Sequence, residues 1–186
     1  MMVRLYHGSH IEVKKPDIEY SKLTIDFGKG FYLTEDVDMA KKWACNRSRS
    51  VLNSYNVDLS DLRVKTLSPN KEWLDYVLHY RTGIVSKPFD DTQFDIVIGP
   101  TADDKLFTVL DMYTDGLIGD DKMIEVMNCM KLSEQVVFKN QNAIDKGLKF
   151  SESKELVGYE KQHIFSQFQH DRAVAAELTR EILRRK

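Results

Sequence analysis

The sequence predicts an α+β domain, and three observations carry that reading. Val3, Leu5 and His7 alternate with Arg4 and Tyr6, the period-two pattern of a half-buried strand. Phe94 to Ile98 forms a short apolar run closed by Gly99-Pro100, as a buried strand does. Trp73 to Tyr80 and the stretch after Asp171 instead space their apolar residues as helices. With 186 residues, 42% hydrophobic and 30% charged, the chain can bury one substantial core and is not of disordered composition.

From the N-terminus, the first strand brings its core-facing row to His7, and Gly8-Ser9 follow. An imidazole, an approachable backbone and a hydroxyl suit a polar ligand. A hydrogen-bonded strand-end histidine before an ordinary turn is the plainer alternative. Gly28-Lys29-Gly30 precede an aromatic pair and a short strand ending at Thr34-Glu35-Asp36. Any of those three can cap a helix from about Val37, which carries Met39, Ala40, Trp43 and Ala44 along one side. A dinucleotide-binding turn does not fit here: no third glycine follows, Leu33 stands where a looser match needs one, and no strand precedes. Asn46-Arg47-Ser48-Arg49 is either a solvated helix end or a loop facing an acceptor or a phosphate.

Lys71-Glu72 after Ser68-Pro69 suit the first turn of a packing helix through Tyr80. Asp95 lies at the near end of the Phe94–Ile98 strand, and Asp103-Asp104 open a helix through Met112, where acidic residues cap the helix, hold a cation or orient an acceptor. A helix from about Asp120 to Lys131 leads into a strand at Leu132 to Phe138. From Asp171 an alanine-rich helix sets Val174, Leu178 and Ile182 on one stripe, with Arg180, Arg184, Arg185 and Lys186 near its end. Those cations complement the helix dipole or offer a handle to a partner protein.

Leu5-Tyr6-His7-Gly8-Ser9, then Phe27-Gly28-Lys29-Gly30-Phe31-Tyr32, then Leu132 to Phe138 with Glu134 resemble, in order, the three signature segments of the poly(ADP-ribose) polymerase branch of the ADP-ribosyltransferases. Ala143 to Phe150 resembles the apolar stretch after the third segment, so the likeness spans roughly residues 3 to 150. Phe94 to Pro100 and Asp103-Asp104 are similar to a group of small bacterial proteins of that superfamily. The resemblance implies an ADP-ribosyltransferase-like split β-sheet core with surrounding helices and a C-terminal helix. It implies a domain at 1–152 with a helical extension at 153–186, packed on it or used for partner docking.

In that family NAD is the co-substrate. The resemblance implies that His7 bonds the adenosine ribose, that Gly8 offers its backbone to the nicotinamide amide, and that Tyr32 and Trp43 stack on opposite faces of the ring, with Ser9 and Gly30 close by. A family serine that also holds the amide falls at Ala40, which removes one hydrogen bond. The third-segment glutamate, matched by Glu134, binds the nicotinamide-ribose hydroxyls and polarises the site. Adjacent strand residues point to opposite faces, so a slip of one residue places Gln135 in the pocket and turns Glu134 away. An amide there keeps hydrogen bonding to ribose without the charge. The motif match favours Glu134.

The activity implied is transfer of a single ADP-ribose to a macromolecular acceptor, protein or nucleic acid, with release of nicotinamide. The bacterial likeness adds a toxin-type modifier restrained by a cognate antitoxin-like protein. Two alternatives stand beside it: a catalytically inactive NAD or ADP-ribose binding module, and an RNA 2′-phosphotransferase, whose basic phosphate-binding residues do not appear at the motif positions. A net charge of −2 disfavours tight nonspecific binding to a phosphate backbone. Cys45 and Cys129 form no disulfide framework, which fits a cytoplasmic protein. No apolar segment reaches membrane-spanning length, and the scattered His79, His163 and His170 give no metal site.

Overall fold

A computed structural model describes residues 2–45, 49–102, 106–130 and 132–184. The expectations for Asn46 to Ser48, for Asp103-Asp104 and for Arg185 and Lys186 lie outside the described residues. The fold is mixed α+β, with two sheets and, among the described residues, six α-helices.

The first sheet is antiparallel, in the order β1 (Met2–Ser9), β3 (Val51–Asp58), β7 (Leu148–Glu155). The second runs β2 (Phe31–Leu33), β6 (Glu134–Phe138), β5 (Ile96–Pro100), β4 (Val64–Thr66), with only β4 and β5 parallel. The sheets meet at one bridge, where Tyr6 N donates to Thr34 O at 2.8 Å and Thr34 N returns a bond to Tyr6 O at 3.0 Å. Leu5, Leu33, Tyr55, Val136 and Phe138 fill the space between them. Beyond the bridge β1 and β2 part, and the separation opens a cleft.

Helix α1 (Val37–Cys45) starts where Asp36 Oδ1 accepts from Asp38 N at 3.0 Å and Met39 N at 3.1 Å, so Asp36 is the cap among the three candidates. Burial works against the Asp36 charge, but the Ser133 hydroxyl and the helix N–H groups hold its pKa below the usual carboxylate range. The helix lies tight against β1: a Cβ on Gly8 would come within 2.0 Å of the Ala40 carbonyl and 2.6 Å of Ala44 N. Gly8 and Ala40 are therefore small for the same reason, to let a helix backbone touch a strand.

Helix α2 (Lys71–Thr82), capped by Asn70, packs Trp73, Leu74 and Val77 into a second core with α3 (Phe107–Thr114) and α4 (Asp120–Cys129). A short α5 (Gln141–Gly147) links β6 to β7. Helix α6 runs from Gly158 to Arg184, thirteen residues earlier than the alanine-rich stretch suggests. Its buried row is Ala175, Thr179 and Ile182, whereas Val174 is 54% exposed and Leu178 only partly covered, so the expected stripe is rotated by about one residue. The expected boundary at 152 falls inside β7, whose Ser153, Lys154 and Glu155 pair with Asn53, Leu52 and Val51. No helix among the described residues is long and apolar enough to cross a membrane.

Candidate functional site

The cleft between the parted strands has a volume of about 940 Å³, within the ~300–1,000 Å³ usual for cofactor pockets. It brings together His7, Gly8 and Ser9 from β1, Gly30 and Tyr32 around β2, Trp43 from α1 and Gln135 from β6. Ala40 and Glu134, both expected in the site, are not part of its lining. Ala40 is fully buried against Gly8. Glu134 is exposed, and its backbone carbonyl accepts from the Thr34 hydroxyl at 2.6 Å.

His7 lies one residue past the bridge, and its Nδ1 donates to the Tyr32 carbonyl at 2.7 Å. A carbonyl only accepts, so this contact places a proton on Nδ1 and makes Nε2 the ring's other polar atom. The imidazole lies against Phe31, with ring centroids 4.5 Å apart. Tyr32 uses its hydroxyl internally, donating to Gly28 O at 2.8 Å and accepting from Phe27 N at 2.9 Å. Burial first, and the nearby Asp26 charge second, raise its pKa well above the ordinary phenol value, so the hydroxyl stays protonated. What Tyr32 offers the cleft is its ring. Gly28 has φ +68°, a turn that glycine favours, and a Cβ on Gly30 would come within 2.4 Å of the Val137 side chain.

The floor is a polar network that the sequence did not announce. Asp26 Oδ1 accepts from Arg81 Nε at 2.8 Å and also from Arg81 Nη2, and its Oδ2 accepts from Ala102 N at 2.7 Å and Gln135 Nε2 at 3.0 Å. Arg81 Nη2 reaches the Ala102 carbonyl as well. Gln135, 2% exposed, gives its second amide hydrogen to Pro100 O at 3.2 Å. Both partners of that nitrogen are acceptors only, which fixes the orientation of the amide and turns Oε1 away from them. A carboxylate at 135 would face Asp26 and a carbonyl with no proton between them. The local chemistry therefore requires an amide where the motif match favours Glu134 as pocket residue, and the register is the alternative one, with Gln135 inward.

Thr101 and Phe168, neither expected in the site, also line the cleft. Phe168 comes from α6, which Lys42 of α1 holds by an ion pair to Asp171. Arg49, the described part of the basic loop, pairs with Glu155 at 2.9 Å. Among the described residues no cluster of three or more His, Cys, Asp or Glu is arranged to hold a metal ion.

Fold and site together define an α+β domain with an aromatic-walled, polar-floored cleft between two sheets. Over residues 3–150 the chain matches a family of proteins of unknown function, DUF3990, and it belongs to that family. No curated protein and no solved structure matches the chain. Phe168 lies outside the matched region.

Proposed function

We propose that the cleft binds NAD and that the protein transfers a single ADP-ribose to a macromolecular acceptor, with nicotinamide as the leaving group. The observation that carries this reading is that His7, Tyr32, Trp43 and Gln135, from four separate elements, line one cleft of about 940 Å³. In this reading His7 anchors the adenosine ribose, Tyr32 and Trp43 take the two faces of the nicotinamide ring, and Gln135 holds the neighbouring ribose. The bond between the ribose C1′ and the ring nitrogen breaks, its electron pair going to nitrogen, so that a cationic pyridinium leaves as neutral nicotinamide. C1′ gains oxocarbenium character, an acceptor O, N or S atom bonds to it, and the acceptor's proton passes to solvent. Gln135 aids that charge through its amide dipole: with Nε2 donating to the Asp26 carboxylate, Oε1 becomes the more negative end.

The acceptor is protein or nucleic acid, the setting is the cytoplasm, and a cognate antitoxin-like protein restrains the activity. The test is incubation of purified protein with adenine-labelled NAD, with and without cell extract. Nicotinamide release together with label on protein or RNA is the expected result. Label appearing only on 2′-phosphorylated RNA would point instead to a phosphotransferase. One observation favours a second reading, an NAD or ADP-ribose binding module without turnover: the exposed Glu134 leaves an uncharged amide at the position where a carboxylate would act. Binding with neither nicotinamide release nor labelling identifies that case.

A further inference from the structure

On the floor of the cleft almost every polar valence is internally satisfied. Arg81, Ala102 N and Gln135 occupy both oxygens of Asp26, and Asp26 and Pro100 take both amide hydrogens of Gln135. Two atoms stand apart. Gln135 Oε1 accepts no hydrogen bond among the described residues, because both contacts of this amide go through nitrogen. Thr101 Oγ1 is buried in a residue 2% exposed and has no partner among the described residues.

The sheet puts these two residues on neighbouring rungs. Gly99 on β5 is the register partner of Gln135 on β6, and the ladder continues with Thr101 N donating to Ser133 O at 2.9 Å. Thr101 is two residues beyond Gly99, and Ser133 two before Gln135, so the side chains of Thr101 and Gln135 emerge on the same face at neighbouring rungs. Both residues line the cleft. A buried hydroxyl without a partner lowers stability, and such a cost, retained at a cavity wall beside an open acceptor, points to a ligand.

We infer that Thr101 is a ligand-binding residue, which together with Gln135 holds two adjacent sugar hydroxyls, those of the ribose that bears the nicotinamide. The inference rests on the NAD reading above and adds to it a residue, Thr101. Gln135 Oε1 only accepts, so its partner must donate; Thr101 Oγ1 both donates and accepts. A vicinal diol meets both needs, one O–H pointing to Oε1 and the other exchanging a bond with Oγ1.

Thr101→Val tests this with little change of shape, since it replaces one hydroxyl by a methyl on a β-branched side chain. Titration calorimetry should find NAD and ADP-ribose bound about tenfold more weakly, while the thermal midpoint is unchanged or raised because a buried orphan hydroxyl has gone. Thr101→Ser should bind close to wild type, and nicotinamide alone should bind Thr101→Val as it binds wild type. Unchanged NAD affinity in Thr101→Val overturns the inference, and a loss of nicotinamide affinity as large as that for NAD overturns the diol assignment. A measurement on the unaltered protein stands apart from any folding effect: NAD analogues lacking the 2′- or 3′-hydroxyl of the nicotinamide ribose should bind about tenfold more weakly than NAD, and equal affinity overturns the inference. If folded wild-type protein binds neither NAD nor ADP-ribose, the NAD reading itself fails, and this inference with it.

Discussion

Asp26 and Arg81 meet across fifty-five residues of sequence, Arg81 Nε donating to Asp26 Oδ1 at 2.8 Å beneath the candidate site. Both side chains are largely buried, so each charge depends on the other for what it has lost from water. Asp26→Asn keeps the shape but takes from the guanidinium the charge of its Asp26 partner and offers Gln135 and Ala102 a mixed donor–acceptor in place of a carboxylate. Urea denaturation should find it destabilised by about 3 kcal/mol, the usual cost of removing one partner from a buried pair. NAD affinity should fall further than stability explains, because Gln135 loses its orientation.

A second prediction follows from Lys139. Burial is the largest influence on its ammonium and lowers its pKa from 10.5 to about 8, against the opposing pull of Asp91 at 3.4 Å. In the unfolded chain the lysine keeps its proton to higher pH. Between about pH 8 and 10 the unfolded state therefore binds more protons than the folded one, and stability should rise with pH. Above about pH 10 the sign reverses, since burial raises the pKa values of Tyr32, Tyr55 and Tyr76 and these phenols resist ionisation only while folded. At the acid end, the Lys87, Tyr80 and Tyr76 contacts outweigh burial and hold Asp91 far below the usual carboxylate range. Its contribution is present above about pH 4 and is lost as pH falls. Thermal midpoints across this range test the profile: Lys139→Met should flatten the rise above pH 8, and because it also removes one of the charges that hold the Asp91 carboxyl down it should shrink the acid limb without abolishing it, Lys87, Tyr80 and Tyr76 remaining in place.

The C-terminal helix has two separable roles. Ile182 is fully buried in the α2–α4 core, so Ile182→Ala should cost about 3 kcal/mol, and deletion from Asp171 should abolish a cooperative unfolding transition. Phe168 faces the cleft, half-buried, and its loss should leave stability near wild type while weakening NAD binding several-fold. Phe165, 45% exposed on the same helix and outside the lining, is the control, and Phe165→Ala should bind as wild type. Equal NAD affinity in Phe168→Ala would confine α6 to a structural role.

Local patterns explain which parts were legible. The alternation at Val3 to His7 and the cap before Val37 depend on neighbours in sequence, and β1 and α1 form where those signals lie. The start of α6 was hidden because residues 158–170 bury only Ile164, leaving almost no apolar period to read. The register of the third segment was ambiguous for a different reason. Residues 135–138 of β6 are all buried, so hydrophobic alternation cannot distinguish its two faces, and only the acceptors Asp26 and Pro100 O decide which side holds an amide. Asp26 and Arg81 are ordinary charged residues until the chain folds and joins them.

That register leads to the last prediction. Glu134 is exposed and Gln135 buried in the floor, so the two substitutions should differ sharply. Glu134→Gln should leave stability, NAD affinity and nicotinamide release within about twofold of wild type, because the side chain borders solvent. Gln135→Ala removes two hydrogen bonds that hold the Asp26 network and the acceptor facing the cleft. It should weaken NAD binding about tenfold or more and lower nicotinamide release by about 100-fold, the scale of a lost transition-state contact. Gln135→Glu is the sharper test. A carboxylate there adds charge at the ribose but confronts Asp26, and like charges in contact force one of the pair to keep a proton. Stability of Gln135→Glu should therefore fall as pH rises from about 5 to 8, a dependence that Gln135→Ala cannot show. Full activity in Gln135→Ala, with loss in Glu134→Gln, would assign the site to the opposite face of β6.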